Sequence, residues 1–170
     1  YTQCPLTYDR NALNLFIETL NTGLVPNSGT DFGPALELSL SKLKDDNSEG
    51  PDSNSKIIIL ISDGEDFGDN TESSLNEIKD ASVKLFTIGV GTLKGSKLIE
   101  RSGVFKKDRE GIEIITKLNS ESLIKTANYT NGKYYEISNE INSVDDMISV
   151  QEHYLETIKT IYLIILYFLI

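Results

Sequence analysis

The chain has 170 residues, of which 39% are hydrophobic, and a formal net charge of −10, which suits one domain with a sizeable core. That acidic balance argues against nucleic acid or anionic lipid as the main partner, because phosphate binding needs a dominant basic surface; a metal ion or a cationic partner fits better. A single cysteine, Cys4, and a single histidine, His153, exclude an intrachain disulfide, multi-cysteine zinc sites and most histidine-based catalysis, and leave oxygen ligands.

Cys4 reads as a small buried apolar residue. Asp9 is placed to cap a helix whose Leu13, Phe16, Ile17 and Leu20 fall at i, i+3, i+4 and i+7, which predicts a core-facing stripe with Asn11, Asn14 and Glu18 toward water. After the turn formers Pro26-Asn27-Ser28-Gly29, a second helix is expected from near Pro34, with Leu36, Leu40 and Leu43 inward. Thr30 and Asp31 stand just before it. The polar stretch 44–56, with Gly50-Pro51, reads as an exposed loop.

Ile57-Ile58-Ile59-Leu60-Ile61 is an unbroken apolar, β-branched run, which predicts a parallel strand buried on both faces. It leads directly into Ser62-Asp63-Gly64-Glu65-Asp66, so Asp63 is delivered to the carboxyl edge, where open α/β sheets bind ligands, and Gly64 permits a sharp turn. Thr71 is a candidate N-cap for a helix carrying Leu75, Ile78 and Ala81, and residues 83–90 read as the next strand, joined by a right-handed crossover. Residues 104–118 hold Asp108-Arg109-Glu110-Gly111 between apolar flanks, which predicts a β-hairpin inserted at the ligand-bearing edge. Ser120 begins a helix with Leu123, Ile124 and Ala127, Gly132 ends the following turn, and residues 133–137 form another strand. Asn128-Tyr129-Thr130 matches a glycosylation acceptor pattern that is common by chance. From Ser143 a connecting helix with Val144, Met147, Ile148 and Leu155 is expected to run to about 160; it contains His153, to which no role is assigned.

Residues 161–170 are an apolar run preceded by Lys159 and containing Tyr162 and Tyr167. The run is short of the ~20 residues that span a bilayer, and taken alone it suits a buried helix or strand; because it stops at the chain end it is expected instead to be the start of a transmembrane helix. With no initiator methionine or leader at Tyr1, the chain is expected to be a fragment. There is no internal repeat.

Asp63, Glu65, Asp66 and Asp69 repel one another unless water or a cation screens them. Thr30 and Asp31 could converge on Asp63 at the same sheet edge, and hydroxyl, carboxylate and water oxygens in octahedral array suit Mg²⁺. A solvated loop is the plainer alternative. Lys94, Lys97, Arg101, Lys106, Lys107 and Arg109 form a basic island on an acidic chain, read either as solvated surface or as a docking surface that steers an acidic partner.

Gly29-Thr30-Asp31 before a helix, Ile61-Ser62-Asp63-Gly64-Glu65 after a strand, and Thr87-Ile88-Gly89-Val90-Gly91 ending the next strand resemble the von Willebrand factor type A (VWA) domain. Gln3-Cys4-Pro5-Leu6-Thr7, Asp108-Arg109-Glu110-Gly111 with Ile115-Thr116-Lys117-Leu118, and Gly132-Lys133-Tyr134-Tyr135 resemble the bacterial aerotolerance (Bat) membrane proteins, BatB type. The resemblance implies a Rossmann-like α/β fold, mostly parallel, with helices on both faces. It also implies a metal-ion-dependent adhesion site in which Thr30 and Asp63 hold Mg²⁺, or Mn²⁺ or Ca²⁺, directly or through water. Asp31, Ser62, Gly64, Glu65 and Asp66 would support that site, and a partner's carboxylate would complete it.

The family's Asp-x-Ser-x-Ser element is not found between Tyr1 and Thr30. The central strand and its metal loop are therefore expected upstream, and the 170 residues alone are expected to bind Mg²⁺ weakly. The organisation read from this is a partial VWA domain over 1–142, a connecting helix over 143–160 and the start of a membrane helix over 161–170. The implied function is a non-enzymatic, metal-dependent interaction module on the bacterial inner membrane, on its periplasmic side. Its implied partners are Bat-family proteins and a MoxR-type AAA+ ATPase, in an envelope or aerotolerance complex. Two alternatives are a metal-dependent phosphoesterase using Asp63 and Asp66, which lacks histidine, phosphate loop and nucleophile, and a structural domain with a degenerate metal site.

Overall fold

The computed structural model describes residues 2, 4–7, 9–20, 31–45, 56–66, 68–99, 102–138, 141–143, 145–146 and 165–167. Strand β1 (Ile57–Ser62) lies inside a four-stranded sheet with β2 (Lys84–Val90), β5 (Tyr134–Ile137) and β6 (Ile165–Tyr167) in the order β5-β2-β1-β6. All three pairings are parallel. Alternation splits the apolar run of β1 between two faces. Ile58 and Leu60 pack with Leu85 against Phe32, Leu36, Leu40 and Leu43 of α2 (Phe32–Asp45), Leu75 and Ile78 of α3 (Thr71–Asp80), and Leu123 of α4 (Ser120–Tyr129). Ile57 and Ile59 join Phe86, Ile88 and Tyr135 on the other face. Residues from α2, α3 and α4 thus line one face, and among the described residues no helix contributes to the second, where helices had also been expected.

Several boundaries differ from the pattern in the sequence. Helix α2 begins at Phe32, two positions before Pro34, because Asp31 Oδ1 accepts from Gly33 N at 3.0 Å and so caps the helix earlier. In α3 the cap position falls to Asn70, whose side chain makes no cap bond, while the Thr71 hydroxyl is drawn to Asp66. Ala81 is the C-cap rather than a helical core residue. Helix α4 takes Asn119 as its N-cap, with Asn119 Oδ1 accepting from Ser122 N at 3.2 Å. It ends where Gly132 N returns to Ala127 O at 2.9 Å. Gly132 is required there, since a Cβ would lie 2.0 Å from Leu85 O.

Helix α1 (Arg10–Glu18) forms as its pattern predicts, with Asp9 capping Asn11 and Ala12, but it buries no residue. Of the expected stripe, Phe16 and Ile17 are 37% and 41% exposed and Leu13 and Leu20 are only half-buried, which corrects the expectation that it faces the core. Amphipathic periodicity fixes which face of a helix seeks cover and says nothing of whether cover is present. Cys4 is likewise only partly buried, its thiol donating to Pro5 O at 3.2 Å.

Ser143 lies outside the helix itself, its N–H donating to Glu136 O at 2.9 Å and its hydroxyl accepting from Glu136 N at 2.7 Å, which ties it to β5, while Asp145 and Asp146 are helical as expected just beyond it. Most of the expected connecting helix, 147–160, lies outside the described residues, as does the loop 46–55. Of the apolar run 161–170, the described residues Ile165–Tyr167 are a strand pairing Ile59, Leu60 and Ile61 of β1, which corrects the helical reading for that stretch. A short apolar run is compatible with either state, and here an unpaired edge of β1 supplies the ladder partners. Among the described residues no helix is long and apolar enough to cross a membrane.

Candidate functional site at the carboxyl edge of the sheet

Strand β1 is buried along its length, and Ser62, 2% exposed, is its last residue. The Ser62 hydroxyl accepts from Gly64 N at 3.0 Å and lies 3.4 Å from Asp63 Oδ1, which in turn accepts from Glu65 N at 3.2 Å. These bonds wrap the chain into a tight loop that holds Asp63 at the strand's carboxyl end. Gly64 has φ +84°, and a Cβ there would meet Asn119 O at 2.4 Å, so the position needs glycine both for its conformation and for the close approach. On the other side of that approach, Asn119 N donates to Asp63 O at 2.7 Å. Burial, and then the Asp63 charge, push the Glu65 carboxyl up, against a lowering hydrogen bond from the backbone of Lys117.

Asp66 and Asp31 have different roles. Asp66 Oδ1 accepts from Phe32 N at 3.1 Å and Gly68 N at 3.2 Å, and Asp66 Oδ2 accepts from the Thr71 hydroxyl at 2.6 Å. One carboxylate therefore serves the start of α2 and the start of α3 together, where unsatisfied N–H groups and the helix dipole favour negative charge. Asp31 caps Gly33 and crowds Gly68, where a Cβ would sit 2.0 Å from Asp31 Oδ1. The Asp66 bond to Phe32 N brings the two acidic loops, 31–33 and 63–68, to one edge, as the sequence suggests. Asp66 alone of the three has both carboxylate oxygens hydrogen-bonded; Asp31, at the start of α2, and Asp63, at the end of β1, each keep one oxygen without a hydrogen bond among the described residues.

Thr30 and Arg101 lie outside the described residues. Among those described, no three His, Cys, Asp or Glu side chains converge as a metal-binding group. The oxygen donors at Asp63 are of the hard type that Mg²⁺ prefers, and they are fewer than an octahedral shell requires.

The inserted segment is more than a hairpin. β3 (Ser96–Lys97) pairs antiparallel with β4 (Ile115–Thr116), and isolated bridges join Ile99 to Phe105 and Lys107 to Glu113. The predicted turn is present: Asp108 Oδ1 accepts from Glu110 N and Ile112 N, both at 2.9 Å, and Gly111 has φ +83°. The structure thus extends the insertion upstream to Ser96. Lys97, Lys107 and Arg109 are exposed and Lys106 is half-buried. Lys97 pairs with Glu113 at 2.6 Å and sits 5.0 Å from the Phe105 ring centroid. The roles of Asn119 and Lys117 in bracing the acidic loop went unread in the sequence; the only local signal was an Asn at the cap position before Ser120.

A parallel sheet flanked by helices, with an acidic loop at its carboxyl edge, defines an α/β domain. The von Willebrand factor type A domain matches residues 1–140, and the chain belongs to that family. Its fold is similar to that of BatB from Bacteroides thetaiotaomicron, at 23% identity and a TM-score of 0.78 over 94% of this chain and 75% of that one. It is also similar to an aerotolerance-related membrane protein from Bacteroides fragilis NCTC 9343, at 28% identity and a TM-score of 0.77 over 91% and 74% of the two chains. No curated protein matches the chain.

Proposed function

We propose that the chain is a VWA interaction module that binds a partner protein through a metal ion held at the carboxyl edge of its sheet. The observation that carries the reading is the division of labour among the acids. Asp66 has both oxygens engaged at two helix starts and Asp31 caps α2 through Oδ1, whereas Asp63, fixed by the Ser62–Glu65 loop at the carboxyl end of the buried strand β1, caps no helix and keeps Oδ2 open. In this reading the Asp63 carboxylate and the Thr30 hydroxyl hold Mg²⁺, or Mn²⁺ or Ca²⁺, directly or through water, and an acidic side chain of the partner completes the shell. The ion supplies a positive centre for that carboxylate; the chain's own residues position the site and brace the loop.

The likeness to an aerotolerance-related membrane protein supports placing the module at a membrane; the bacterial inner membrane and its periplasmic side are the proposed location. Bat-family proteins and a MoxR-type ATPase are the proposed partners. The phosphoesterase alternative is weakened because both Asp66 oxygens are hydrogen-bonded, which leaves it poorly placed as nucleophile or ligand.

The test is capture of a purified Bat-family partner in Mg²⁺ and in EDTA. Asp63→Ala is expected to abolish the Mg²⁺-dependent capture while melting close to wild type. Equal capture by wild type and variant would overturn the proposal.

A further inference from the structure

The segment between β2 and α4 closes on itself and leaves one side uncovered. Leu98 N donates to Ile114 O at 3.1 Å, Ile114 N to Lys106 O at 2.9 Å, and Lys106 N to Leu98 O at 2.8 Å. Three extended segments, with equivalent residues eight apart in sequence, thereby form a ring in which each pairs with the other two. Such a ring offers no long strand edge for an added strand, so recognition must go through side chains. Side chains alternate across extended segments. Leu98, Lys106 and Ile114 are half-buried on one side, and the paired positions beside them carry Ile99, Phe105 and Ile115, which are 64%, 42% and 51% exposed. Lys97, Lys107 and Glu113 stand among these three.

An apolar centre containing an aromatic and bordered by fixed charges has the composition of a protein interface. The charge distribution says which kind of partner fits. Residues 94–117 carry seven Lys or Arg against four Asp or Glu, whereas the rest of the chain carries nine against 22. The ring is thus a basic projection on an acidic molecule, and its electrostatic complement is an acidic surface. An anionic membrane fits less well, because Asp108 and Glu110 are exposed at the tip and Glu113 lies within the face, ion-paired to Lys97. The ring is also anchored to the candidate site, since Asn119 at its base donates to Asp63 O.

We propose that this face docks an acidic protein partner, one that presents carboxylates around a large apolar side chain, beside the contact at Asp63. That both contacts belong to one partner rests on the reading of Asp63 given above; the docking itself does not.

The probe is an array of short peptides of three compositions, acidic with apolar, acidic alone and basic with apolar, titrated with the chain. Acidic peptides with apolar residues are expected to bind best, and to weaken as salt rises. Phe105→Glu and Ile99→Asp change exposed side chains, and each is expected to lower that affinity about tenfold or more with an unchanged melting temperature. Lys107→Glu should remove the preference for acidic peptides, and binding by the wild type should persist in EDTA, where no metal contact at Asp63 can form. The proposal is overturned if basic peptides bind equally well or if the ring variants bind as wild type. It is also overturned if phosphatidylglycerol vesicles are bound in preference, or if the same variants instead abolish self-association, since the occupant would then be a membrane or a second copy. Loss of peptide binding in EDTA with the ring variants unaffected would overturn the ring proposal and leave the Asp63 reading standing.

Discussion

Asp66 accepts hydrogen bonds from the beginnings of two helices, so its effect should appear in stability. Asp66→Ala is expected to cost about 1–3 kcal/mol in urea unfolding, the range for a lost cap joined to unsatisfied donors. Gly64→Ala meets both a positive φ and a backbone oxygen; a cost of about 1–3 kcal/mol is expected there too, together with displacement of Asn119, readable in its amide resonance. Tyr134 gives a pH signature. Its hydroxyl donates to Glu136 Oε2 at 2.7 Å, and burial, then that bond, hold its pKa well above the ordinary value. The folded state therefore favours the neutral phenol. Its contribution is complete below the unfolded value of about 10 and is lost as pH rises past that value. Tyr134→Phe should be less stable than wild type by about 1 kcal/mol at neutral pH, and the gap should narrow above a pH of about 10 in denaturation series.

Among the elements, the join between α4 and β2 depends on Thr130, which is 3% exposed. Its hydroxyl accepts from Leu85 N at 3.0 Å and donates to Ala127 O at 3.2 Å. Thr130→Val should leave a buried N–H unpaired and cost about 1–3 kcal/mol, while Thr130→Ser should recover most of it; thermal melts of the two variants decide. The same hydroxyl gives the Asn128-Tyr129-Thr130 pattern a structural role that the motif alone does not reveal. Local pattern identified β1, α3, β2, α4 and β5, because long apolar runs and amphipathic helices carry their own period. It was less informative where an element depends on something distant. The stripe on α1 was legible and its lack of cover was not. The ring over 96–116 was read as a hairpin because its third segment pairs across sequence gaps that periodicity cannot see. The run at 161–170 was read as helix although its described residues pair with β1.

At the scale of the whole molecule, the parallel order β5-β2-β1-β6 places Asp63, the acidic loops and the base of the ring at one edge. The sequence showed Asp63 there because a buried strand ended in it. It did not separate Asp63 from the two acids that cap helices, since Asp31, Asp63 and Asp66 differ in their partners and not in their residue type. The central claim is that Asp63 holds the metal through which a partner binds. The most direct measurement is the melting temperature of the protein, purified from its own cells, as Mg²⁺ is titrated into wild type and into Asp63→Ala. A ligand of the native state raises the melting temperature with concentration, so the account predicts a saturable rise in wild type that is absent in the variant. A flat response in wild type, or the same rise in both, would contradict it.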